Sequence, residues 1–160
     1  MKVGVLSDTH VREGSSLAAS LFEAFSGVEM IMHAGDIVSL LVIEALEAIA
    51  PVHAVHGNMD PFEVASALPG QRVIQVGAKA IGLIHGWGAP QGLENRLLGR
   101  FGGDRVDAIV YGHTHLPALK KIGSVVFFNP GSATGRFPAP YASVGILHVD
   151  DDIAGELVRL

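Results

Sequence analysis

The chain has 160 residues, of which 49% are hydrophobic and 17% charged, and its formal net charge is -5 with histidines neutral. This length and composition are typical of one globular domain with a substantial core and exclude an intrinsically disordered chain. An acidic chain does not bind long nucleic acids or anionic membranes through charge alone, and the absence of cysteine excludes disulfides, thiolate metal sites and a cysteine nucleophile.

The sequence begins MKVGVL and enters a strand-like run without the features of a signal peptide. No apolar stretch approaches the roughly 20 residues that a membrane-spanning helix needs. We therefore expect a cytoplasmic protein that does not associate with membranes.

Short apolar runs rich in β-branched residues recur along the chain and predict strands. They are Val3–Leu6, Met30–Met32, Val52–Val55, Val73–Val76, Ala80–Ile84, Ala108–Tyr111, Val125–Phe128, Val144–Val149 and Leu157–Leu160. Helical spacing of apolar residues predicts helices over Ser15–Phe25, Ile37–Ile49 and Leu93–Phe101. The first part reads βαβαβ with parallel strands, and the second is mostly strands with a hairpin around Gly77. We predict one α/β domain over residues 1–160, a sandwich of two mixed β-sheets flanked by helices.

Polar residues directly follow five of these predicted strands, usually beside a glycine. The segments are Ser7-Asp8-Thr9-His10, His33-Ala34-Gly35-Asp36, His56-Gly57-Asn58-Met59-Asp60, His85-Gly86-Trp87-Gly88 and Gly112-His113-Thr114-His115. Because ligand sites in α/β sheets form at the carboxyl ends of parallel strands, we expect the five loops to converge. Convergence gathers seven candidate metal ligands: Asp8, His10, Asp36, Asn58, His85, His113 and His115.

Carboxylate and amide oxygens combined with imidazole nitrogens suit borderline divalent metals. Seven ligands exceed one tetrahedral or octahedral site once water is allowed, so two ions that share a bridging carboxylate are the economical arrangement. His113 and His115, on either side of Thr114, would then serve different ions. Each motif alone is common in ordinary turns and loops, and it is the joint order at strand ends that predicts a metal site.

The ordered pattern Asp-x-His, Gly-Asp, Gly-Asn, a lone His and Gly-His-x-His resembles the calcineurin-like metallophosphoesterase superfamily, in particular its small YfcE-type phosphodiesterases. The resemblance covers nearly the whole chain and includes the turn Asn129-Pro130-Gly131-Ser132. It implies that Asp36 bridges two ions and that Asp36, Asn58 and His113 are catalytic. By the same resemblance, metal one is held by Asp8, His10, Asp36 and His115, and metal two by Asp36, Asn58, His85 and His113.

The resemblance further implies a metal-dependent phosphodiesterase that hydrolyses small phosphodiesters, with a hydroxide bridged by two metal ions as nucleophile. Manganese is the expected metal, and Fe, Zn, Ni or Mg are alternatives that the same ligands accept. The expected partner is a small phosphodiester rather than a long nucleic acid, and chains of this kind often pair as homo-oligomers.

Two positions depart from the superfamily pattern. Met59 stands where many members have a histidine that protonates the leaving group, and Trp87 replaces the second histidine of a His-Gly-His segment. Met59 cannot transfer a proton, so His56 and His33 are the neighbouring alternatives. Trp87 can provide an apolar or stacking wall.

Three further side chains are candidate substrate contacts, namely Arg12, His56 and Arg136. The two arginines follow loops of the predicted site, and a guanidinium offers a fork of donors to phosphate. His33 has a second interpretation, as a strand-end residue that orients Asp36 through hydrogen bonding.

A second hypothesis for the chain is a metal-binding, non-catalytic scaffold that binds protein partners. The retromer scaffold subunit resembles these enzymes and shares a similar Asn-Pro-Gly-Ser-Ala-Thr-Gly stretch, here residues 129–135. That branch has altered metal ligands, whereas all seven ligand types are present in this chain, which favours the enzyme.

Overall fold

Two five-stranded β-sheets pack face to face in the computed structural model, which describes residues 1–102 and 105–160. The strands are β1 (Lys2–Leu6), β2 (Met30–His33), β3 (Val52–Ala54), β4 (Gln71–Val76), β5 (Lys79–Ile84), β6 (Ala108–Val110), β7 (Ala118–Ile122), β8 (Val125–Asn129), β9 (Ser143–Val149) and β10 (Ile153–Arg159). The first sheet has the strand order β10-β9-β1-β2-β3 and the second has β4-β5-β6-β8-β7. Both sheets are mixed, because β1–β2–β3 and β5–β6–β8 pair in parallel and the other neighbours pair antiparallel.

Helices cover the outer faces of both sheets. They are α1 (Ala19–Ala24), α2 (Leu40–Glu47), α3 (Phe62–Ala67) and α4 (Leu93–Arg100), with a short 3-10 turn at Gly14–Ser16. The first three pack on the first sheet through apolar side chains such as Leu21, Leu46 and Val64, and α4 packs on the second through Leu93 and Leu97. Within the described ranges, every helix is too short or too polar to cross a membrane.

The layer between the sheets is a dry apolar core. Val3 and Val5 of β1 face this core together with Leu83 of β5 and the fully buried Phe128 of β8. A side chain at Gly145 of β9 would overlap the Phe128 ring, so the sheets approach closely only because position 145 has no Cβ.

The predicted fold class and the βαβαβ start are confirmed. Strand β2 pairs in parallel with both β1 and β3, and the β4–β5 hairpin turns at Gly77, which has φ 60°. The predicted strand and helix boundaries otherwise shift by a few residues, and the last strand begins at Ile153.

Two elements were not predicted, and two predicted helices are shorter than expected. Strand β7 is mostly exposed and α3 buries only Val64, so neither carries a clear apolar pattern. The predicted helix from Ser15 is interrupted by extended backbone at Leu17, and the one from Ile37 begins only after Ser39. Ser39 caps α2 by accepting a hydrogen bond from the Leu41 amide.

Phe128→Ala should lower the free energy of unfolding by about 3–5 kcal/mol, because it leaves a cavity between the sheets. Urea denaturation of the variant and of the wild type measures this difference. Val73→Ala on β4, where the valine is 40% exposed, is the control and should change stability little. Equal losses in the two variants would contradict the packing described for Phe128.

Candidate metal centre

The loops that follow β1, β2, β3, β5 and β6 meet at one edge of the sandwich. Each of the seven predicted ligands lies in one of these loops, directly after its strand or a few residues beyond it. The parallel pairing of β1–β2–β3 and of β5–β6 points the five carboxyl ends the same way, as the sequence pattern predicted.

Four of the seven side chains form a compact inner cluster. Ligand-type atoms of Asp8, His10, Asp36 and His115 all lie within 4.8 Å of one another. His115 Nε2 is 3.2 Å from Asp8 Oδ1 and 3.3 Å from His10 Nε2. His10 Nε2 is also 3.6 Å from Asp36 Oδ2. Two carboxylates and two imidazoles therefore converge on one small volume, which is the chemistry of a divalent-metal site.

His85 extends this cluster. Its Nδ1 lies 2.7 Å from the Ala34 carbonyl oxygen, so the Nδ1–H donates there and Nε2 faces the carboxylates. Nε2 is 3.3 Å from Asp36 Oδ2 and 3.9 Å from Asp8 Oδ1. Burial alone would lower the pKa of His85, but the two carboxylates outweigh burial and raise it. The cluster thus favours positive charge at this point.

Two polar atoms of the cluster are buried without a hydrogen-bond partner in the described part of the chain. They are Asp8 Oδ1 and His85 Nε2. An unpaired buried carboxylate oxygen is costly, and so is an unpaired imidazole nitrogen. Both are metal-ligand atoms, and a shared cation would satisfy them together. The residues present therefore fit a bound metal.

The remaining two predicted ligands, Asn58 and His113, lie at the more exposed mouth of the site. His113 Nδ1 is 3.1 Å from Asn58 Oδ1, and His113 Nε2 is 2.9 Å from the Gly88 carbonyl. The His113 ring meets that of His85 edge-on, with centroids 5.5 Å apart. Asn58 and His113 therefore contact each other and adjoin the inner cluster, although they are not part of it.

Two backbone carbonyl groups orient the His115 ring from the side away from the cluster. Its Nδ1 lies 3.0 Å from the carbonyl oxygens of both Arg136 and Phe137, so the Nδ1–H donates outward and Nε2 faces Asp8. The Asp8 carboxylate beside the ring raises the pKa of His115. A neutral His115 with this tautomer would present a lone pair to a metal ion.

Five of the seven predicted ligands have left-handed backbone conformations. The φ angles are 54° at Asp8, 50° at His10, 56° at Asp36, 74° at His113 and 59° at His115. Each such residue costs about 1–3 kcal/mol unless the surroundings enforce it. Strain of this kind collects at functional sites, and here it coincides with the residues that the motif pattern selected.

Asp60 holds this strained backbone in place, and the motif analysis did not select it. Its Oδ2 accepts hydrogen bonds from the amides of Asp36 at 3.1 Å and Gly57 at 2.7 Å. Its Oδ1 accepts a hydrogen bond from the Val38 amide at 2.6 Å. Val38 is β-branched and nevertheless has a left-handed backbone, with φ 76°. A signal was available, because an aspartate two residues beyond Asn58 is a typical acceptor for turn amides.

Two glycines allow the loops to approach each other. A Cβ at Gly57 would overlap Asp36 Oδ1, and one at Gly112 would overlap the Ser7 hydroxyl. The turn after β8 adds a further tie, since Ser132 Oγ donates to the Asp8 carbonyl at 2.9 Å. The glycines beside the predicted ligands are therefore required by close packing around the carboxylates.

His33 is fully buried behind the cluster, which excludes it as a proton donor to a substrate. Its Nδ1 accepts from the Gly35 amide at 3.2 Å, so the Nε2–H donates to Thr9 Oγ1 at 3.2 Å. Burial lowers the pKa of His33 to about 3. The neutral ring braces the Asp36 loop against the Asp8 loop through the Gly35 amide and Thr9 rather than through a hydrogen bond to Asp36.

The three candidate substrate contacts occupy different places. His56 lines a cavity of about 490 Å³ beside Asn58 and His85. Arg12 lines another cavity, of about 640 Å³, together with Met59. Arg136 is exposed. The structure does not bring these three side chains together into one phosphate-binding group.

The two-sheet fold with an Asp/His cluster at its strand ends places the chain in a class of proteins that carry metal-site residues at this edge of the sandwich. The chain belongs to the calcineurin-like phosphoesterase superfamily, since the family model for that domain matches residues 1–152. It is 38% identical over 164 residues to a probable metallophosphoesterase of Methanothermobacter thermautotrophicus, covering 99% of this chain and 92% of that one.

Solved structures agree with this assignment. An archaeal phosphodiesterase superposes with a TM-score of 0.81 at 25% identity, covering 100% of both chains. The Vps29 protein of Entamoeba histolytica complexed with zinc superposes with a TM-score of 0.75 at 28% identity, covering 99% of both chains. The same fold therefore carries a phosphodiesterase in one relative and a zinc-binding Vps29 in another.

Asp60→Ala should weaken Mn²⁺ binding by about 10–100-fold, because Asp60 orients the Asp36 loop without itself facing the cluster. Isothermal titration of metal-stripped protein measures the affinity, and circular dichroism checks that the variant is folded. Glu63→Gln, in the first turn of α3, is the control for removing a nearby carboxylate. Unchanged Mn²⁺ affinity in a folded Asp60 variant would refute this role.

Because His33 stays neutral in the folded protein, the free energy of unfolding should fall as the pH is lowered below 6.5. Between pH 6.5 and 3 the unfolded chain binds a proton at residue 33 and the folded chain does not, so stability falls as the pH is lowered. Urea denaturation in EDTA should show the wild type losing about 1 kcal/mol more than His33→Gln between pH 6.5 and 5.5. Identical losses would mean that His33 is protonated in the folded state.

Proposed function

We propose that this protein is a metal-dependent phosphodiesterase that hydrolyses small phosphodiesters. The observation that carries the proposal is the pair of buried, unpartnered ligand atoms, Asp8 Oδ1 and His85 Nε2, inside a strained cluster of carboxylates and imidazoles. A structural role for the cluster would leave these atoms paired with protein groups. Their arrangement is instead suited to binding cations.

Two ions would divide the ligands, with Asp36 in both sets. Asp36 Oδ2 is positioned for this, because it lies 3.6 Å from His10 Nε2 on one side and 3.3 Å from His85 Nε2 on the other. For His113 to bind an ion, its contact with Asn58 or with the Gly88 carbonyl has to be exchanged for the ion. The first set is Asp8, His10, Asp36 and His115, and the second is Asp36, Asn58, His85 and His113.

When bound, the ions would supply Lewis acidity, lowering the pKa of a water molecule so that it attacks phosphorus as a hydroxide and offsetting charge on the phosphoryl oxygens. The chain fixes the geometry: backbone amides hold the inner carboxylates, with Met59 N–H donating to Asp36 Oδ1 at 2.8 Å and His113 N–H donating to Asp8 Oδ2 at 3.2 Å. Asn58 and His113, at the mouth, are the residues nearest to an entering phosphate.

The surroundings of the centre favour a diester with a good leaving group. One cavity reaches Asn58 and the other reaches the adjacent Met59, so each can accept one of the two ester groups. Met59 is 56% exposed and has no proton to give, which leaves His56 or a water molecule as the acid. Esters whose leaving alcohol is weakly basic depend least on that proton.

Manganese is the metal we propose, with Fe, Zn, Ni or Mg as alternatives for the same oxygen and nitrogen ligands. The expectations of a cytoplasmic location, of no long nucleic-acid substrate and of pairing into homo-oligomers stay predictions.

The second candidate function is a metal-binding scaffold for protein partners without catalysis. It is favoured by the exposed apolar side chains that flank the site, since Phe62 is 88% and Phe137 is 89% exposed. Similarity to Vps29 is consistent with it, but the complete set of ligand types favours the enzyme.

Metal-stripped protein resupplied with Mn²⁺ should hydrolyse bis-p-nitrophenyl phosphate faster than p-nitrophenyl phosphate. Asp36→Asn should reduce the diester rate by at least about 100-fold, because the amide cannot bridge two cations. Release of p-nitrophenol, followed spectrophotometrically with and without Mn²⁺, measures both effects.

Glu47→Gln on α2 is the control for removing one exposed carboxylate that lines neither cavity, and it should retain the wild-type rate. Absence of turnover in protein that binds two Mn²⁺ ions per chain would exclude the phosphodiesterase and favour the scaffold. Faster hydrolysis of the monoester would change the substrate class to phosphomonoesters.

A further inference from the structure

The cavity of about 490 Å³ beside the candidate metal centre has the size of a small-molecule site. It shares Asn58 and His85 with the centre and continues past Trp87 to Gln71 and Arg100. A phosphate at the metal centre would therefore direct one of its ester groups into this space. The side chains at the far end decide which group fits.

Trp87 is held in a fixed position at the wall of this cavity. It sits between Gly86 and Gly88, whose φ angles are 105° and 74°, so the chain bends sharply on both sides of it. The Arg96 guanidinium donates to the Trp87 carbonyl at 3.2 Å and to the Gln91 carbonyl at 2.8 Å. The indole is nevertheless 40% exposed, although a large aromatic side chain is normally buried.

Hydrogen-bond donors lie next to this indole. The Arg100 guanidinium carbon is 5.9 Å from the Trp87 ring centroid, and Arg100 Nε donates to Gln71 Oε1 at 3.1 Å. Within residues 1–102 and 105–160, the other guanidinium N–H groups of Arg100 and the amide N–H groups of Gln71 have no hydrogen-bond partner, so they can donate to a ligand. Proteins bind nucleobases by stacking them on aromatic side chains or arginine guanidinium planes and by donating hydrogen bonds to their edges.

The Trp87 loop is also tied to the candidate centre. The Gly88 carbonyl lies 2.9 Å from His113 Nε2, so the residue after Trp87 contacts a predicted ligand directly. The backbone that carries the Trp87 indole is therefore held next to the candidate centre.

We propose that this cavity binds a nucleobase and that the preferred substrates are nucleoside phosphodiesters. The inference rests on the proposed phosphodiesterase function, because the phosphate is placed by the metal centre. The base stacks on Trp87 within reach of the donors of Arg100 and Gln71, and the ribose spans the distance to Asn58.

The other cavity fits a nucleobase poorly. Its walls include three carboxylates, those of Glu13, Glu44 and Glu63, against one guanidinium, that of Arg12. It has no tryptophan, and its charge repels the acceptor-rich edge of a base next to a phosphate. We therefore assign the base to the Trp87 side.

Equilibrium binding of adenosine 5′-monophosphate and of ribose 5-phosphate to the Mn²⁺-loaded protein separates the contribution of the base from that of the phosphate. Isothermal titration should show the nucleotide binding about tenfold more tightly, as expected for one base stacked on an aromatic side chain. Trp87→Ala should remove that preference and leave the affinity for ribose 5-phosphate unchanged, whereas Trp87→Phe should keep most of it.

Phe62→Ala is the matched control, because it removes an exposed aromatic side chain that lines neither cavity. Equal binding of the two ligands by the wild type, failure of both to bind, or retention of the preference in Trp87→Ala would each overturn the proposal.

Binding is read without turnover, so the two proposals can fail separately. A nucleotide preference that depends on Trp87 in a protein that does not hydrolyse bis-p-nitrophenyl phosphate would refute the phosphodiesterase and keep the nucleobase site. Hydrolysis with equal binding of both ligands would refute the nucleobase site alone.

Discussion

Two carboxylates are buried beside each other at the strand ends, and their burial determines which groups must surround them. Asp8 and Asp36 have almost no exposed surface, and charge buried in this way requires hydrogen bonds and opposite charge. Backbone amides serve one oxygen of each residue, and imidazoles surround the others. This concentration of negative charge in a small buried volume suits a divalent cation, which would offset it.

The sandwich supports the constraint by bringing strand ends together rigidly. The inter-sheet core locks β1 and β2 against β5 and β6, and the loops then adopt left-handed conformations that short peptides avoid. Asp60 and the buried, neutral His33 hold those loops from behind. Substituting either supporting residue would therefore alter the site without removing a ligand.

The sequence pattern predicted the elements with strong apolar periodicity and missed those without it. Strand β1 is almost fully buried and was evident, whereas β7 is exposed and α3 buries one side chain. The seven candidate ligands were selected because each lies within a few residues of the end of a buried run. Asp60 was missed because the motif pattern selects metal ligands, whereas Asp60 accepts hydrogen bonds from backbone amides, as a turn aspartate often does. The group formed by Gln71, Trp87 and Arg100 was missed because its members come from three separate segments.

Apolar periodicity and short motifs are local properties, so the amino-acid sequence was enough to predict the fold class and the ordered set of ligand-type residues. The tertiary structure was needed to show which of these residues lie deepest and which imidazole nitrogen faces the carboxylates. It also showed that His33 braces the loops instead of donating a proton, and that Trp87 and Arg100 share a cavity with His85. These relations depend on distances between segments far apart in the chain, and such distances are set by the packing of the two sheets.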